Sequence, residues 1–300
     1  MINKEEFLNK DRIIKGISKD GYFKISAVKT TDVVKEAKRR HGLSLLNTVI
    51  LGRALTGVML LASELKGEER VQLRIEGDGP IGLLKAEANS AGEIRGFVEH
   101  PEAELDYTKT SDLGDGLGDG TLSFSKILYN EARPLTGIVH LINGNISDDL
   151  VHYLLQSDQI PSAMTLDVQI DKKGEVMEAG GILIQAMPGA PENKIQQLEE
   201  NLAKLSKVGL YFNDDKYIDE LMVDAMVPYE VKELERYPVH FFCRCSKDRF
   251  KDALAMISLE DLKDFEEEGQ ELVCHYCNEH YYITKEEIEE IVTQTKIKMN

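Results

Sequence analysis

The sequence predicts an α+β protein with a small cysteine-containing appendage at its C-terminal end. Apolar runs with strand character follow one another through much of the first 190 residues, while runs with helical spacing stand apart from them. Strands in succession with separate helices are typical of an α+β fold rather than of a wound parallel sheet. All four cysteines lie in the last sixth of the chain. A length of 300 residues also favours more than one domain.

The first predicted elements are a strand at residues 22–28 and a helix that follows it. Thr31 and Asp32 are residue types that begin helices, and the helix should end near Arg40, because His41 and Gly42 interrupt the pattern.

A second helix is predicted at residues 45–62, with Ser44 as its cap. This segment is apolar and long enough to suggest a membrane span. It contains Asn47, Arg53 and two glycines, however, which favours a buried core helix.

Strands dominate the prediction from residue 71 onward. Residues 71–76 alternate with period two and end at a Gly-Asp-Gly-Pro turn. Further strands are predicted at residues 82–87, 94–98, 122–124, 136–139, 164–170 and 181–185. The glycine-rich run at 114–120 matches neither a complete phosphate-binding loop nor a calcium-binding loop, so a flexible turn between strands is favoured.

A boundary is predicted at the Pro-Gly-Ala-Pro sequence of residues 188–191. We therefore divide the chain into an N-terminal α+β core domain (1–190), a metastable helical linker (191–240) and a C-terminal domain (241–300). The linker should consist of short amphipathic helices whose apolar faces need a neighbour to rest on. Met187, Met222 and Met226 are best interpreted as helix core residues, with an adaptable binding surface as the alternative.

The C-terminal domain is predicted to contain short helices around a strand. A helix is expected from about Asp248 to Ile257, a second short helix after Ser258, and a strand at residues 281–283. Thr284 and Glu287 have capping-box spacing, which predicts the start of the last helix.

The cysteines form two short pairs, Cys243-x-Cys245 and Cys274-x-x-Cys277, with 28 residues between them. Two such pairs are typical of a tetrahedral zinc site with all four sulfurs as ligands. A domain of about 60 residues is too small to build a secure core alone, and a metal would supply the missing stability. The sequence therefore predicts one Zn²⁺ bound by the four cysteines.

Whether this site is inert or reactive is open from spacing alone, since most four-cysteine zinc sites are closed and structural. Zinc holds its sulfur ligands as thiolates, the form that reacts with peroxide. Arg244, Lys247 and Arg249 add local positive charge that would favour thiolates. Three histidines also lie near the cysteines, but four sulfurs complete the tetrahedron, so we interpret them as surface or supporting residues. They are His240, His275 and His280.

Composition limits the partners. The net charge of −17 would repel nucleic acid and anionic lipid, so neither is an expected partner. The charged N-terminus lacks the apolar core of a signal peptide, which predicts a cytoplasmic protein, where thiols are kept reduced. The first 240 residues contain no motif for nucleophilic or metal-dependent catalysis, so we do not predict an enzyme.

Several motifs together resemble a known family. The cysteine pattern, Glu-Gly-Asp-Gly-Pro at 76–80 and Arg-Pro-Leu-Thr-Gly-Ile-Val at 133–139 are similar to those of the 33 kDa chaperonins (heat-shock protein 33), which are redox-regulated holdase chaperones of the bacterial cytosol. The likeness continues through residues 156–163, 179–185 and 188–190.

This resemblance implies a mechanism. The reduced protein would hold zinc and be inactive. Oxidants with unfolding conditions would form the disulfides Cys243–Cys245 and Cys274–Cys277 and expel zinc, with the second pair reacting first. The linker would then open and bind unfolding client proteins without ATP, and the oxidised protein would tend to form a homodimer. Within the linker we select Leu221, Met222 and Met226 as candidate client-binding residues.

Two other hypotheses remain from the residues. One is an inert zinc ribbon that serves as a protein-interaction module. The other is a dithiol oxidoreductase with Cys274 and Cys277 as the working pair, although its usual βαβ context is not evident here.

Overall fold

The computed structural model describes residues 10–205, 208–213, 216–258, 262 and 269–299. The chain divides into two compact units, Met1–Phe242 and Cys243–Asn300. The second unit nearly coincides with the predicted C-terminal domain. Residues 191–242 belong to the first unit in this structure, and the separate behaviour of the linker stays a prediction.

The first unit contains most of the secondary structure. Its strands are β1 (Arg12–Ser18), β2 (Phe23–Lys29), β3 (Arg70–Gly77), β4 (Leu83–Asn89), β5 (Glu93–Val98), β6 (Gly120–Ile127), β7 (Leu135–His140), β8 (Ser162–Ile170), β9 (Val176–Ala186), β10 (Val231–Pro238) and β11 (His240–Phe241). Its helices are α1 (Thr31–His41), α2 (Leu45–Ala62), α3 (Ile146–Gln156), α4 (Glu192–Leu202), α5 (Val208–Asn213) and α6 (Ile218–Ala225).

These strands form two sheets. The first has the order β10-β1-β2-β9-β8 and is antiparallel throughout. The second has the order β11-β5-β4-β3-β6-β7, with a single parallel pair, β11 and β5. The predicted α+β class is confirmed, and every predicted strand of the core domain is present with bounds within a few residues.

Helix α2 forms the centre of the first unit and contacts both sheets. By length and composition it could cross a membrane, yet 83% of its residues are buried inside the fold. The prediction of a core helix is therefore confirmed. Its N-terminus is capped as expected, since the Ser44 Oγ accepts a hydrogen bond from the Asn47 N–H at 3.1 Å. Gly42 ends α1 with φ of 61°, a left-handed conformation that favours glycine.

The other face of the first sheet is covered by α4, α5 and α6. We call the apolar contact between them the outer-face cluster, because it lies opposite α2. Its buried members from the sheet are Ile14, Phe23, Ile25, Ala27, Ile182 and Ile184, and those from the covering segment include Leu198, Tyr211, Phe212, Leu221, Met222 and Met226. The predicted amphipathic helices thus rest on the sheet. All three candidate client-binding residues are buried, Leu221 and Met226 completely.

The prediction that the linker is helical to residue 240 is wrong for its last part. Residues 231–238 form strand β10, which pairs with β1 along its whole length. The apolar spacing of Val231, Leu234 and Tyr237 looks helical, but pairing with the apolar strand β1 decides the conformation. Residues 240–241 then join the second sheet as β11.

The glycine-rich run at 114–120 is more ordered than the predicted flexible turn. Residues Leu113–Gly116 form a 3₁₀ helix, and the following backbone is hydrogen-bonded to the turn after β3. Gly79 N–H donates to the Leu117 carbonyl at 2.9 Å, and Ile81 N–H donates to the Gly116 carbonyl at 3.1 Å. The two glycine-rich segments therefore support each other, which neither sequence pattern reveals alone.

The second unit contains α7 (Lys247–Leu254), β12 (Gln270–Val273), β13 (His280–Ile283) and α8 (Lys285–Met299). The two strands form an antiparallel hairpin. The predicted capping box is present, because Thr284 N–H donates to Glu287 Oε2 at 2.9 Å and Glu287 N–H donates to Thr284 Oγ1 at 3.3 Å. Most of the predicted short helix after Ser258 lies outside the described residues. The buried apolar residues of this unit are few, namely Leu254, Leu262, Ile283, Ile288, Ile291 and Val292.

Candidate metal centre

The two cysteine pairs are positioned by different elements of the second unit. Cys243 and Cys245 lie just before α7, whose N-terminus is capped by Ser246 through a hydrogen bond from Arg249 N–H. Cys274 and Cys277 lie in the turn of the β12–β13 hairpin.

This turn is tight and hydrogen-bonded. The Cys274 carbonyl accepts from the N–H of Asn278 at 2.7 Å, and the Cys274 N–H donates to the Glu279 carbonyl at 2.9 Å. Asn278 has φ of 55°, a left-handed conformation that asparagine tolerates better than most residues. The turn therefore directs both sulfurs of the Cys-x-x-Cys pair to one side.

The four sulfur atoms lie within 4.8 Å of one another. The Sγ atoms of Cys243 and Cys274 are 3.7 Å apart, and those of Cys245 and Cys277 are 3.3 Å apart. Zinc–sulfur bonds of about 2.3 Å in a tetrahedron place neighbouring sulfurs about 3.8 Å apart. The donor set and its spacing therefore fit a single tetrahedral metal ion. Within the described part of the chain, this is the group of side chains with such an arrangement.

Exposure differs between the pairs. Cys274 and Cys277 are buried, with 8% and 2% of their surface exposed, whereas Cys243 and Cys245 are partly exposed. A small oxidant in solution thus has direct access to the Cys-x-Cys pair.

The crowded sulfurs disfavour simultaneous ionisation. The contact with Cys243, together with burial, raises the pKa of Cys274. Burial and the contact with Cys245 raise the pKa of Cys277 to about 12. Four thiolates at these distances need a cation among them, since like charges so close repel strongly. A bound divalent metal reverses these shifts and holds the sulfurs deprotonated.

The predicted ring of positive charge is only partly present. Lys247 Nζ lies 2.6 Å from Glu287 Oε2, so a carboxylate neutralises this cation. Arg244 and Arg249 are exposed. The three histidines are also exposed, as expected, and His280 Nδ1 lies 3.2 Å from Glu271 Oε1.

Tyr281 is a residue of the site that sequence reasoning missed. Its hydroxyl lies 3.3 Å from the Cys245 Sγ and 3.3 Å from the Cys245 carbonyl oxygen. Its ring packs against Phe250 of α7, with ring centres 5.2 Å apart. Tyr281 was assigned only to a strand, because no spacing rule connects a tyrosine to a cysteine 36 residues earlier.

Comparison with known proteins identifies the family. A family model described as "Hsp33 protein" matches residues 11–284. The chain belongs to the Hsp33 family. Relatives named 33 kDa chaperonin include that of Desulforamulus reducens, 34% identical over 292 residues, covering 96% of this chain and 99% of the relative. The relative from Bacillus velezensis is 37% identical over 290 residues, covering 95% and 99%.

A solved Hsp33 structure has the same fold. The crystal structure of the 33 kDa chaperonin (heat shock protein 33 homolog) from Thermotoga maritima superposes with a TM-score of 0.88 at 33% identity, covering 97% of this chain and all of that one. The resemblance inferred from the sequence motifs is thereby confirmed. Curated relatives across the Hsp33 family are named chaperonins, and the present chain shares their full length.

Proposed function

We propose that this protein is a redox-regulated, ATP-independent holdase chaperone that binds unfolding proteins under oxidative stress. The observation that carries the proposal is the gathering of all four cysteine sulfurs within 4.8 Å in a chain of the Hsp33 family. In the reduced state Cys243, Cys245, Cys274 and Cys277 would hold one Zn²⁺. When bound, the zinc would supply folding energy to the second unit and keep its ligands as thiolates.

Oxidation would remove the ligands in pairs. A thiolate sulfur attacks a peroxide oxygen, the O–O bond breaks, and hydroxide leaves, which yields a sulfenic acid. The neighbouring thiol then forms the S–S bond while the S–O bond breaks and water leaves. Two thiols and one peroxide thus give one disulfide and two waters. We assign the disulfides as Cys243–Cys245 and Cys274–Cys277.

The small core of the second unit makes this loss decisive. Structural zinc contributes roughly 10–16 kcal/mol of apparent binding energy at neutral pH, whereas whole domains are stable by only about 5–15 kcal/mol. A unit with the short apolar cluster around Leu254 and Ile288 cannot replace such a contribution. We therefore expect the second unit to unfold when its sulfurs are oxidised.

Unfolding would reach the linker through the chain itself. Cys243 directly follows Phe242, whose N–H donates to the Ile94 carbonyl at 2.9 Å. The preceding strand β11 is only two residues long, so it is a weak anchor for β10 and the covering helices. Loss of the covering helices would expose the outer-face cluster. We propose that Leu221, Met222 and Met226, buried in the closed form, contact clients in the open form.

The remaining assignments follow from the same proposal. Unfolded or aggregation-prone proteins are the partners, the oxidised protein forms a homodimer, and the protein acts in the cytoplasm. The net charge of −17 disfavours binding to nucleic acid or to anionic membranes.

The test compares reduced, zinc-loaded protein with peroxide-oxidised protein in a light-scattering assay of a thermally aggregating client enzyme. We expect only the oxidised form to suppress aggregation, and reduction with a dithiol to restore the inactive state. Equal suppression by both forms would overturn the proposal. The same samples separate the alternatives: an inert ribbon keeps its zinc in mild peroxide, and a dithiol oxidoreductase reduces a model disulfide catalytically.

A further inference from the structure

The hydroxyl of Tyr281 lies against one particular sulfur of the cysteine cluster. It is 3.3 Å from the Cys245 Sγ and equally far from the Cys245 carbonyl oxygen. A metal-bound or ionised sulfur carries no proton, so in that state the phenol must be the donor. Because a charged sulfur is a better acceptor than a neutral carbonyl, the single O–H proton is directed chiefly at the thiolate.

The ring is held in place by two separate elements. Tyr281 belongs to β13, where it is paired with Leu272 of β12. Phe250 of α7 packs against the ring at 5.2 Å, with the two planes inclined by 41°. The following residue, Tyr282, is 55% exposed and belongs to the same strand. Tyr281 is therefore oriented by the fold, whereas Tyr282 offers a nearby tyrosine for comparison.

A hydrogen bond to a thiolate withdraws electron density from the sulfur. The sulfur then attacks an electrophilic oxygen more slowly, and partners of metal ligands tune a site in this way. Exposure acts in the opposite direction, because Cys245 is more accessible than the buried Cys274 and Cys277. Without a restraining contact, the exposed pair would be the first to meet oxidant.

We infer that Tyr281 is a positioning residue that protects Cys245 from oxidation, so that the Cys243–Cys245 disulfide forms after Cys274–Cys277. This inference rests on the proposed redox function and adds the determinant of its order. The protected pair retains two sulfur ligands while the other pair is being oxidised, so a brief exposure to oxidant does not commit the protein to opening.

The test uses Tyr281→Phe, which removes the hydroxyl and keeps the ring against Phe250, with Tyr282→Phe as the matched control. Full-length, zinc-loaded proteins are treated with hydrogen peroxide in a slight excess of zinc, quenched with an alkylating reagent at intervals, and digested. Mass spectrometry then gives the rate at which each cysteine is lost. We expect Tyr281→Phe to oxidise Cys245 several-fold faster relative to Cys274 than wild type does, and Tyr282→Phe to match wild type.

Two results would overturn the inference. One is an unchanged ratio of rates in Tyr281→Phe. The other is an equal acceleration of all four cysteines, which would indicate a general loosening of the unit rather than a lost contact at Cys245. Failure of the proposed function is visible separately, because wild-type protein would then bind no zinc or would suppress aggregation without oxidation. A valid switch with an unchanged ratio removes only the role of Tyr281.

Discussion

The carboxylate of Asp167 accepts a hydrogen bond from the backbone N–H of Gly209, with 3.0 Å between Oδ2 and N. Asp167 is on β8 and only 8% exposed, whereas Gly209 lies in the first turn of α5. A core strand thereby satisfies a backbone donor at the start of a covering helix, where intrahelical acceptors are lacking. The contact ties part of the predicted linker to the sheet.

Replacing Asp167 with alanine should loosen α5. The Gly209 N–H would lose its acceptor in a buried position, which costs about 1–3 kcal/mol. We expect faster amide hydrogen exchange over residues 208–213 in the reduced protein, measured by mass spectrometry. Asp167→Asn keeps an acceptor oxygen and should remain close to wild type. Asp148→Ala is the control, since Asp148 shares the pocket around Arg53. Equal exchange in Asp167→Ala and Asp148→Ala would contradict this assignment.

Leu221→Ala should open the cover of the outer-face cluster without oxidation. Leu221 is fully buried, and removal of a buried leucine side chain costs about 2–5 kcal/mol. We expect the reduced variant to bind more of a hydrophobic fluorescent dye and to suppress client aggregation in part. Val223→Ala, on the same helix but 54% exposed, should behave like wild type. The role of this packing is refuted if both variants bind the same amount of dye in the reduced state.

Cys277→Ser should abolish stoichiometric zinc binding. Cys277 is 2% exposed and its sulfur lies 3.3 Å from that of Cys245, so the hydroxyl leaves an incomplete ligand set at the buried side of the cluster. Elemental analysis of the purified reduced protein should show the loss, and limited proteolysis should cleave within residues 243–299. His275→Ala should keep full zinc content. A zinc-loaded Cys277→Ser protein would show that this sulfur is not a ligand.

Asp11 should make stability depend on pH. Burial raises its pKa to about 7 from the ordinary 3.8, although a hydrogen bond from the Val33 N–H at 2.8 Å acts in the opposite direction. The folded protein therefore keeps a proton that the unfolded chain releases above pH 4. The stability that this proton contributes is present at low pH and is lost as the pH rises to about 7.

The comparison with Asp11→Asn isolates this effect, because asparagine does not titrate. The difference in unfolding free energy between wild type and variant should fall by about 1.4 kcal/mol per pH unit between pH 4 and 7, then level off. Urea titrations at half-unit intervals measure it. Any dependence caused by the cysteines is common to both proteins and cancels. A difference that stays constant over this range would rule out the titration of Asp11.

The gathering of the four sulfurs was predictable because short cysteine pairs constrain their own geometry. Two bites from one small domain leave few arrangements other than a common centre. The Thr284–Glu287 capping box was predictable for the same local reason. Tyr281 was not, since its role depends on the packing of β13 against α7, which no local pattern describes.

The tertiary environment also explains the missed elements. Strand β10 is rich in glutamate, lysine and arginine, which favour helices, and becomes a strand because β1 offers an unpaired edge. Helix α3 was overlooked although Asn145 signals its start, its side chain accepting from the Ser147 N–H at 3.1 Å. Strand β1 is a short apolar run, and such a run alone does not distinguish a strand from a helix.

The position of β10 at the margin of the first sheet has a consequence for how a captured chain would be gripped. Release of this strand would leave the amide and carbonyl groups of β1 facing solvent along one side. An extended polypeptide of any composition satisfies such groups, because main-chain pairing ignores side-chain identity. The opened molecule would thus combine a greasy surface with a sequence-indifferent backbone template, an arrangement suited to guests that share nothing except being unfolded.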